Sequence, residues 1–363
     1  MSRTVIKLGS ATVADDAGEL RLEVLERICD VAAGLRSEGE EVLLVTSGAI
    51  ARGARLMELG TRPRAIEELQ AASAVGQGGL YHVYDELLGA RGVRSAQVLL
   101  TFFDISARTH YLNVRGTLRK LLDWGVVPVI NENDSTATDE ISFGDNDFLA
   151  AQVAVLVGAD RLLLLTDTDG LHTADPRSDP SAELVREVSD FALLERYQVT
   201  QRTTALGSGG MRSKVVAADM ATAAGIATWI CNGRRVGALE RVLAGEQEGT
   251  LFHPRLVRHS SFKLWLKYAK PSHGTIVVDP GAARALRDGA ASLLPVGVSE
   301  VRGDFGAGDA VDVAEGAVVI GKGICGYSAV ELRRVKGMKS AGVREVLPRV
   351  SEEAVHRDYF VLA

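Results

Sequence analysis

The sequence predicts an α/β protein with a mostly parallel central sheet covered by helices on both faces, followed by a small β-rich C-terminal domain. One observation supports the first part. Short β-branched runs alternate with longer helical patterns through the first two-thirds of the chain, and strands separated by helices of that length usually pair in parallel through right-handed crossovers. A second observation concerns the last quarter, where strand-like runs lie close together between glycine-rich turns, which is typical of a small β module.

The elements of the first domain follow from hydrophobic periodicity. Strands are expected where a short apolar, β-branched run stands between turn residues, at 4–9, 41–48, 93–101, 126–130, 161–166 and 227–232. Helices are expected where apolar residues recur with helical spacing, at 20–39, 49–60, 64–90, 109–125, 147–158 and 209–225.

The domain boundary is predicted from a change in composition after Phe252. Residues 253–272 contain five basic side chains and no acid before Pro271 and Gly274, which indicates a linker. We therefore expect a first domain at 1–252, a basic linker at 253–272 and a second domain at 273–363. The strand-like runs of the second domain are TIVVD, VSEVRG, DAVDVA and AVVIGKG.

Composition excludes several classes of protein. A net charge of −6 with 46% hydrophobic and 24% charged residues is a globular composition without an overall attraction to nucleic acid or anionic membranes. The three cysteines, Cys29, Cys231 and Cys325, are far apart, so neither a disulfide framework nor a zinc site is expected. The N-terminus lacks the apolar core of a signal peptide, and no run approaches a membrane span. A cytoplasmic protein is the expectation.

Polar loops follow four of the predicted strands. They are KLGS at 7–10, TSGA at 46–49, NEND at 131–134 and TDTDG at 166–170. Ligands of parallel sheets bind beyond the carboxyl ends of the strands, so these loops are expected to line one crevice. TDTDG lacks the remaining ligands of a calcium loop, and its sequence leaves a simple turn and a nucleotide contact both open.

Two segments are candidates for holding a phosphate. In KLGS a glycine follows the strand and Lys7 supplies a cation, although such a strand end is common in any protein. GSGGMRSK at 207–214 is glycine-rich, opens a predicted helix and ends in Lys214, but its order is not that of a Walker A loop. Each has a plain structural alternative, and together they allow two lysines to flank one phosphoryl group.

The segment NENDSTATDEISFGDND at 131–147 contains six carboxylates and neither lysine nor arginine. A solvated acidic loop is the ordinary explanation. The amides of Asn131, Asn133 and Asn146 favour recognition of a small polar molecule instead. A substrate with an ammonium group would explain the excess acid, and Mg²⁺ accompanying a nucleotide is an additional explanation. No histidine falls in these motifs, so a phosphoryl transferase built from them would work without a histidine base.

Five motifs together resemble the glutamate 5-kinases of the amino acid kinase family. They are KLGS at 7–10, TSGAI at 46–50, NEND at 131–134, FGDND at 143–147 and GSGGMRSK at 207–214, in this order. The tail resembles a PUA domain through GTIVVDPGAARAL at 274–286, SLLPVGV at 292–298 and GDFGAGDAV at 303–311. The resemblance covers nearly the whole chain and implies ATP-dependent phosphorylation of the L-glutamate side-chain carboxylate, the first step of proline synthesis.

The resemblance also implies roles for individual residues. Glutamate would be bound by Ser47, Asp134 and Asn146. Lys7 and Lys214 would hold the transferring phosphoryl group, and Asp147 matches a catalytic motif position. The implied cofactors are ATP and Mg²⁺, with no metal ligand identified. The ATP-binding residues would be Lys7, Gly9, Ser10, Thr166, Asp167, Ser208, Gly209, Gly210, Met211, Arg212, Ser213 and Lys214.

Departures from the family pattern are small. Ala11 stands where relatives often have a hydroxyl, Thr136 replaces a usual valine, and Ser208 stands where threonine is commoner. These departures leave the implied reaction unchanged and concern only which nucleotide and which inhibitor are preferred. As partners, the resemblance implies proline as a feedback inhibitor, a second copy of the chain in a homo-oligomer, and the next reductase, glutamate-5-semialdehyde dehydrogenase.

Two other functions stay open from the residues. PUA modules in other proteins often bind RNA, but residues 271–363 hold 11 Lys plus Arg against 12 Asp plus Glu, which does not resemble a surface for polyphosphate. A related kinase acting on another carboxylate, a carbamate or a phosphate is the other alternative, against which the NEND and FGDND pair argues.

Overall fold

The computed structural model describes residues 2–60, 63–101, 104–105, 108–136, 146–191, 194, 210–255, 263, 266–267, 270–289, 291–347 and 353–363. These residues form two compact units, Met1–His259 and Ser260–Ala363. Each unit has its own sheet and its own buried apolar cluster.

The first unit alternates strands and helices along the chain. Its strands are β1 Arg3–Leu8, β2 Glu41–Val45, β3 Ser95–Leu100, β4 Val127–Glu132, β5 Arg161–Thr166, β6 Glu187–Val188, β7 Ala227–Asn232 and β8 Thr250–Phe252. Its helices are α1 Ser10–Val13, α2 Leu22–Ser37, α3 Ala49–Leu56, α4 Ile66–Gly89, α5 Arg108–Asp123, α6 Asn146–Val157, α7 Met211–Ala223 and α8 Ala238–Leu243.

The strands of the first unit form a sheet with the order β3-β4-β2-β1-β5-β7-β8-β6. Every pairing in it is parallel except that of β7 with β8. Strand β1 lies near the centre, with Lys7 paired to Val45 on one side and to Leu164 on the other. The carboxyl ends of β1, β2, β4, β5 and β7 therefore meet at one edge, and polar loops follow them there.

Burial on both faces of the sheet explains the uniform apolar character of its strands. All five residues of β2 and five of the six in β5 are buried, as expected for a parallel sheet covered on both sides. Helix α6 is buried along nearly its whole length, which is unusual for a surface helix and places its N-terminal residues inside the protein.

Helices α3 and α4 cross at a contact made by two glycines. A Cβ added to Gly53 would overlap the carbonyl oxygen of Ala72, and one added to Gly76 would overlap that of Ala49. The absence of a side chain at both positions lets the two backbones touch. This close crossing fixes the face of α4 that carries Ser73, Gly76, Leu80 and Tyr84, all of which are buried.

The second unit is built on a sheet with the order β10-β9-β11-β12-β13. Its helix α9 begins after Asp279, whose carboxylate accepts hydrogen bonds from two backbone N–H groups, and α10 begins with a capping box of Ser328 and Glu331. The bounds are β9 Gly274–Val278, α9 Pro280–Arg287, β10 Val298–Gly303, β11 Ala310–Glu315, β12 Val318–Cys325, α10 Ala329–Val335, α11 Ser340–Val346 and β13 Val355–Leu362.

The predicted fold class is confirmed, and each predicted strand and helix of the first unit is present with its ends shifted by a few residues. The short elements α1, β6, α8 and β8 were not expected, nor were the helices of the second unit. Most of the predicted linker at 253–272 lies outside the described residues, so its boundaries stay a prediction.

The three cysteines are buried and free. Burial raises the pKa of the Cys29 and Cys231 thiols to about 12 and that of Cys325 to about 11, so all three stay protonated at neutral pH. Across the described residues, no helix has both the length and the apolar character that crossing a bilayer requires.

The crossing of α3 and α4 gives a prediction about stability. Gly76→Ala should lower the free energy of unfolding by about 2 kcal/mol or more, because the new methyl group would overlap the backbone of α3, which cannot move away easily. Gly78→Ala is the matched control in the same helix. Nothing lies within 4 Å of a Cβ at Gly78, so this change should stabilise the protein by up to about 1 kcal/mol. Urea denaturation compares the two, and equal effects would contradict the tight crossing.

Candidate active site

Two lysines from opposite ends of the first unit meet on one carboxylate. Lys7 lies on β1 and its Nζ forms an ion pair with Oδ1 of Asp147, while Nζ of Lys214 lies 2.9 Å from Oδ2 of the same side chain. The three side chains are almost fully buried, at 1%, 0% and 5% exposure in the order Lys7, Asp147 and Lys214. Their formal charges sum to +1, so the cluster attracts an anion.

Secondary structure explains why these three residues meet. Asp147 lies in the first turn of α6, and Lys214 lies in the first turn of α7. Oγ of Ser213 lies 3.3 Å from Oδ2 of Asp147 and 2.8 Å from the carbonyl oxygen of Gly210, so its one proton can be donated to either acceptor, and the start of α7 contacts that of α6. A carboxylate is favoured at a helix N-terminus, and the same partial charge favours a bound anion.

A glycine lies close to each of the two lysines. A Cβ at Gly9 would lie 3.8 Å from Nζ of Lys7 and 3.4 Å from the carbonyl oxygen of Leu165. Gly210 precedes α7 in an extended conformation and, as a glycine, supplies no side-chain cap. The N-terminal end of α7 favours an anion through the helix dipole.

A chain of side-chain amides lies beside the charged cluster. Nδ2 of Asn146 donates to the backbone carbonyl of Thr46 and, at 2.7 Å, to Oδ1 of Asn131. Nδ2 of Asn131 donates in turn to Oε1 of Gln77 on α4, at 2.5 Å. The hydroxyl of Thr46 lies 2.8 Å from that of Tyr84, also on α4. Asn146 and Asp147 are consecutive, so the amide chain adjoins the lysine cluster directly.

Two further predicted substrate-binding residues lie at the same edge of the sheet. Ser47 is buried and follows β2, next to Gly48, whose φ of 102° is left-handed and permits the sharp entry into α3. Asp134 follows β4, and its Oδ2 accepts a hydrogen bond of 2.9 Å from Ser73 on α4. Helix α4 thus contacts both the acidic loop and the amide chain.

The predicted nucleotide-binding residues Thr166 and Asp167 lie at the end of β5, the strand next to β1. The hydroxyl of Thr166 donates to the carboxylate of Asp167 at 3.2 Å. The amide of Gly9 donates to Leu165 at 3.2 Å, so the loop that contains Gly9 and Ser10 adjoins this strand end. Of the predicted 208–214 loop, Gly210 to Lys214 are described, and Arg212 is exposed while Lys214 is buried.

Ser208 and Gly209 lie outside the described residues, as do Phe143, Gly144 and Asp145 of the FGDND motif. Sequence reasoning did not single out Ser73, Gln77 or Tyr84. The available signal was their spacing, because all three recur with helical period on a face of α4 that is otherwise made of small and apolar residues.

Comparison with known proteins assigns the chain to a family. The family model described as Amino acid kinase family matches residues 2–232, and the PUA domain model matches residues 274–347. The chain belongs to the amino acid kinase family, and within it to the glutamate 5-kinases. The predicted resemblance and the predicted class of enzyme, a kinase, are confirmed.

Three relatives illustrate the likeness, each of which bears the name glutamate 5-kinase. That of Chromohalobacter salexigens is 46% identical over 364 residues, covering 99% of this chain and 96% of the relative. The relative from Thermus thermophilus is 45% identical and that from Synechococcus sp. is 44% identical, each covering 99% of this chain and 97% of the relative. The likeness therefore includes both units of this amino acid kinase.

The bridging carboxylate predicts a measurable effect on stability. Asp147→Asn should lower the free energy of unfolding of the ligand-free kinase by about 3 kcal/mol or more, because two buried ammonium groups lose their shared counter-charge. Asp169→Asn is the control, since Asp169 pairs with Arg235 and both side chains are about two-fifths exposed. That loss should stay below about 1 kcal/mol. Urea denaturation measures both, and similar losses would show that Asp147 is not a buried bridge.

Proposed function

We propose that this kinase transfers the γ-phosphoryl group of ATP to the side-chain carboxylate of L-glutamate and releases glutamyl 5-phosphate and ADP. The observation that carries the proposal is the pair of buried lysines on Asp147 at the carboxyl ends of the sheet. The names of the relatives support glutamate as the acceptor.

The reaction needs no general base. A glutamate side chain has a pKa of about 4.3 in water, so its carboxylate is already ionised at neutral pH. One carboxylate oxygen forms the new bond to the γ-phosphorus, and the bond from that phosphorus to the β–γ bridging oxygen breaks, leaving its electron pair on ADP. This account agrees with the absence of histidine from the motifs.

The obstacle to the reaction is the approach of an anion to a polyanion. Lys7 and Lys214 offset this repulsion, and the first-turn N–H groups of α7 add oriented dipoles. Asp147 keeps the two ammonium groups at a fixed separation. It also limits the excess charge of the three groups to +1, so that product release is not prevented by an overly cationic site.

For the nucleotide we propose Lys7, Gly9, Ser10, Thr166, Asp167 and the loop 208–214. For glutamate we propose Ser47, Asp134 and Asn146, with the Asp134 carboxylate facing the substrate ammonium group. These loops lie at the ends of neighbouring parallel strands, where ligands of such sheets bind.

We propose that Mg²⁺ arrives with ATP. Within the described residues, no three His, Cys, Asp or Glu side chains are grouped so that they could hold a metal. The proposed ion would be held mainly by phosphate oxygens and water, with at most one or two carboxylates, as is usual for Mg²⁺ with nucleotides. When bound, it would neutralise charge on the phosphates.

The wider expectations extend the same proposal. They comprise the division into 1–252, 253–272 and 273–363, a cytoplasmic location, a homo-oligomeric state, proline as a feedback inhibitor, and glutamate-5-semialdehyde dehydrogenase as a partner that receives the labile acyl phosphate.

The proposed reaction predicts a product that hydroxylamine traps. Incubation with L-glutamate, ATP and Mg²⁺ should give glutamyl hydroxamate together with an equal amount of ADP, because an acyl phosphate reacts readily with this nucleophile. Omission of glutamate or addition of excess EDTA should abolish both products. ADP formation without hydroxamate in the complete mixture would contradict glutamate as the acceptor.

The two lysines predict a specific kinetic pattern. Lys7→Met and Lys214→Met should each lower kcat by about 100-fold or more while the KM for glutamate changes by less than about 3-fold, because the lost charge acts on the transferring phosphoryl group. Lys120→Met, which removes an exposed lysine on α5, is the control and should leave both constants unchanged. A raised KM for glutamate at unchanged kcat would contradict the assignment.

A further inference from the structure

Helix α4 places two polar side chains against the residues proposed to bind glutamate. Ser73 donates to Asp134, and Gln77 accepts from Asn131, one turn further along the same face. The rest of this face is small or apolar and is fixed by the glycine crossing with α3. Polar side chains on such a face require hydrogen-bond partners, whereas alanine or leucine would pack there without them, so their presence indicates a specific role.

The direction of the hydrogen bonds along the amide chain is fixed at one end by the backbone carbonyl of Thr46, which can only accept, and is held at the other end by Gln77. Its Oε1 accepts from Nδ2 of Asn131, which turns Oδ1 of Asn131 toward Asn146. Asn146 must then present Nδ2 to this oxygen, and Nδ2 also donates to the carbonyl of Thr46. Both of these bonds use the nitrogen of Asn146, so its Oδ1 is the atom with which a substrate donor can bond.

We propose that Gln77 is a positioning residue that, through Asn131, holds the Asn146 carboxamide in the orientation that the Thr46 carbonyl also favours, and so keeps Asn146 an acceptor for the ammonium group of the substrate. The proposal rests on the proposed function and deepens it. It assigns selectivity for an amino-bearing substrate to a residue on α4, outside the strand-end loops in which the binding motifs lie.

The chemistry of an amide makes this orientation decisive. The two ends of a carboxamide have nearly the same shape but opposite hydrogen-bonding character. With Oδ1 toward the substrate, Asn146 accepts a hydrogen bond from an ammonium group. If the group were turned over, its NH₂ donors would face those of the ammonium, and the attraction would become a repulsion. Asn131 is 2% exposed and Asn146 7% exposed, so water competes little for these bonds.

The test separates ammonium recognition from general damage to the pocket. Gln77→Met has a similar size but no acceptor, and it should raise the KM for L-glutamate about ten-fold at nearly unchanged kcat and KM for ATP. Glutarate, which has both carboxylates but no ammonium group, serves as a competitive inhibitor. Its inhibition constant should stay within about two-fold of the wild-type value, because no hydrogen bond to it depends on the orientation of Asn146.

Rescue and control variants sharpen the result. Gln77→Glu keeps an acceptor oxygen toward Asn131 and should restore a KM within about three-fold of wild type. Gln152→Met removes another buried carboxamide, one on α6 whose Nε2 has no hydrogen-bond partner among the described residues. It should leave the KM for glutamate unchanged. In an Asn146→Ala background, Gln77→Met should add no further increase, because its effect passes through Asn146.

Several outcomes would overturn the proposed role of Gln77. They are an unchanged KM for glutamate in Gln77→Met, an equal weakening of glutarate, or additive effects with Asn146→Ala. If Gln77→Met does not fold, Gln77→Asn keeps a polar group but moves it away from Asn131, and it should shift the KM for glutamate in the same direction. A wild-type enzyme that forms no hydroxamate would overturn the proposed function as well. An active wild type together with an unchanged KM for glutamate in Gln77→Met would overturn only the proposed role of Gln77.

Discussion

The site depends on one buried carboxylate held between two ammonium groups. Removing any of the three charges from water is costly, and an isolated buried ion pair seldom repays that cost in stability. The role of Asp147 is better understood as fixing the positions of the two ammonium groups. Oδ1 and Oδ2 of Asp147 face different lysines, so the spacing of the two cations is set by the width of a carboxylate. The formal charges of the three side chains sum to +1, which favours an anion as the ligand beside them.

The parallel sheet brings together residues that are far apart in the chain. Lys7 is contributed by a central strand, whereas Asp147 and Lys214 come from helices that begin near the carboxyl ends of the strands. Helix α4 approaches from α3, where two glycines allow backbone contact. A wider separation of α3 and α4 would move Gln77 away from Asn131, whose hydrogen bond is only 2.5 Å long. Gly76 directly precedes Gln77 in α4, so the packing of α3 against α4 bears on the geometry of the amide chain.

Hydrophobic periodicity predicted most of the first unit, because long buried runs such as those at 161–166 and 227–232 admit few alternatives. It could not predict β8, which has three residues and owes its pairing to its neighbours, or the short capped helices of the second unit. For the site, the motifs identified Lys7, Lys214 and Asp147, but the sequence explained the excess acid at 131–147 by a substrate ammonium group or Mg²⁺ and not by a pairing with the lysines. The structure pairs Asp147 with both lysines, and that pairing links segments that no local pattern relates. Gln77 was missed because a polar residue in a helix is ordinarily solvent-facing.

The two halves of the proposed site would use different kinds of interaction, and the proposed reaction explains why. The phosphoryl side uses full charges, which suit a polyanion and need little directional precision. The amino-acid side has to attract an ammonium group, for which Asp134 is proposed, yet each further carboxylate near the γ-phosphoryl group would increase the repulsion that the lysines offset. A neutral amide avoids this conflict, because an oriented Oδ1 accepts from an ammonium without adding net charge. Asn146 and Asp147 are adjacent in sequence but contact different partners, so the boundary between the two kinds of recognition falls between two consecutive residues of α6.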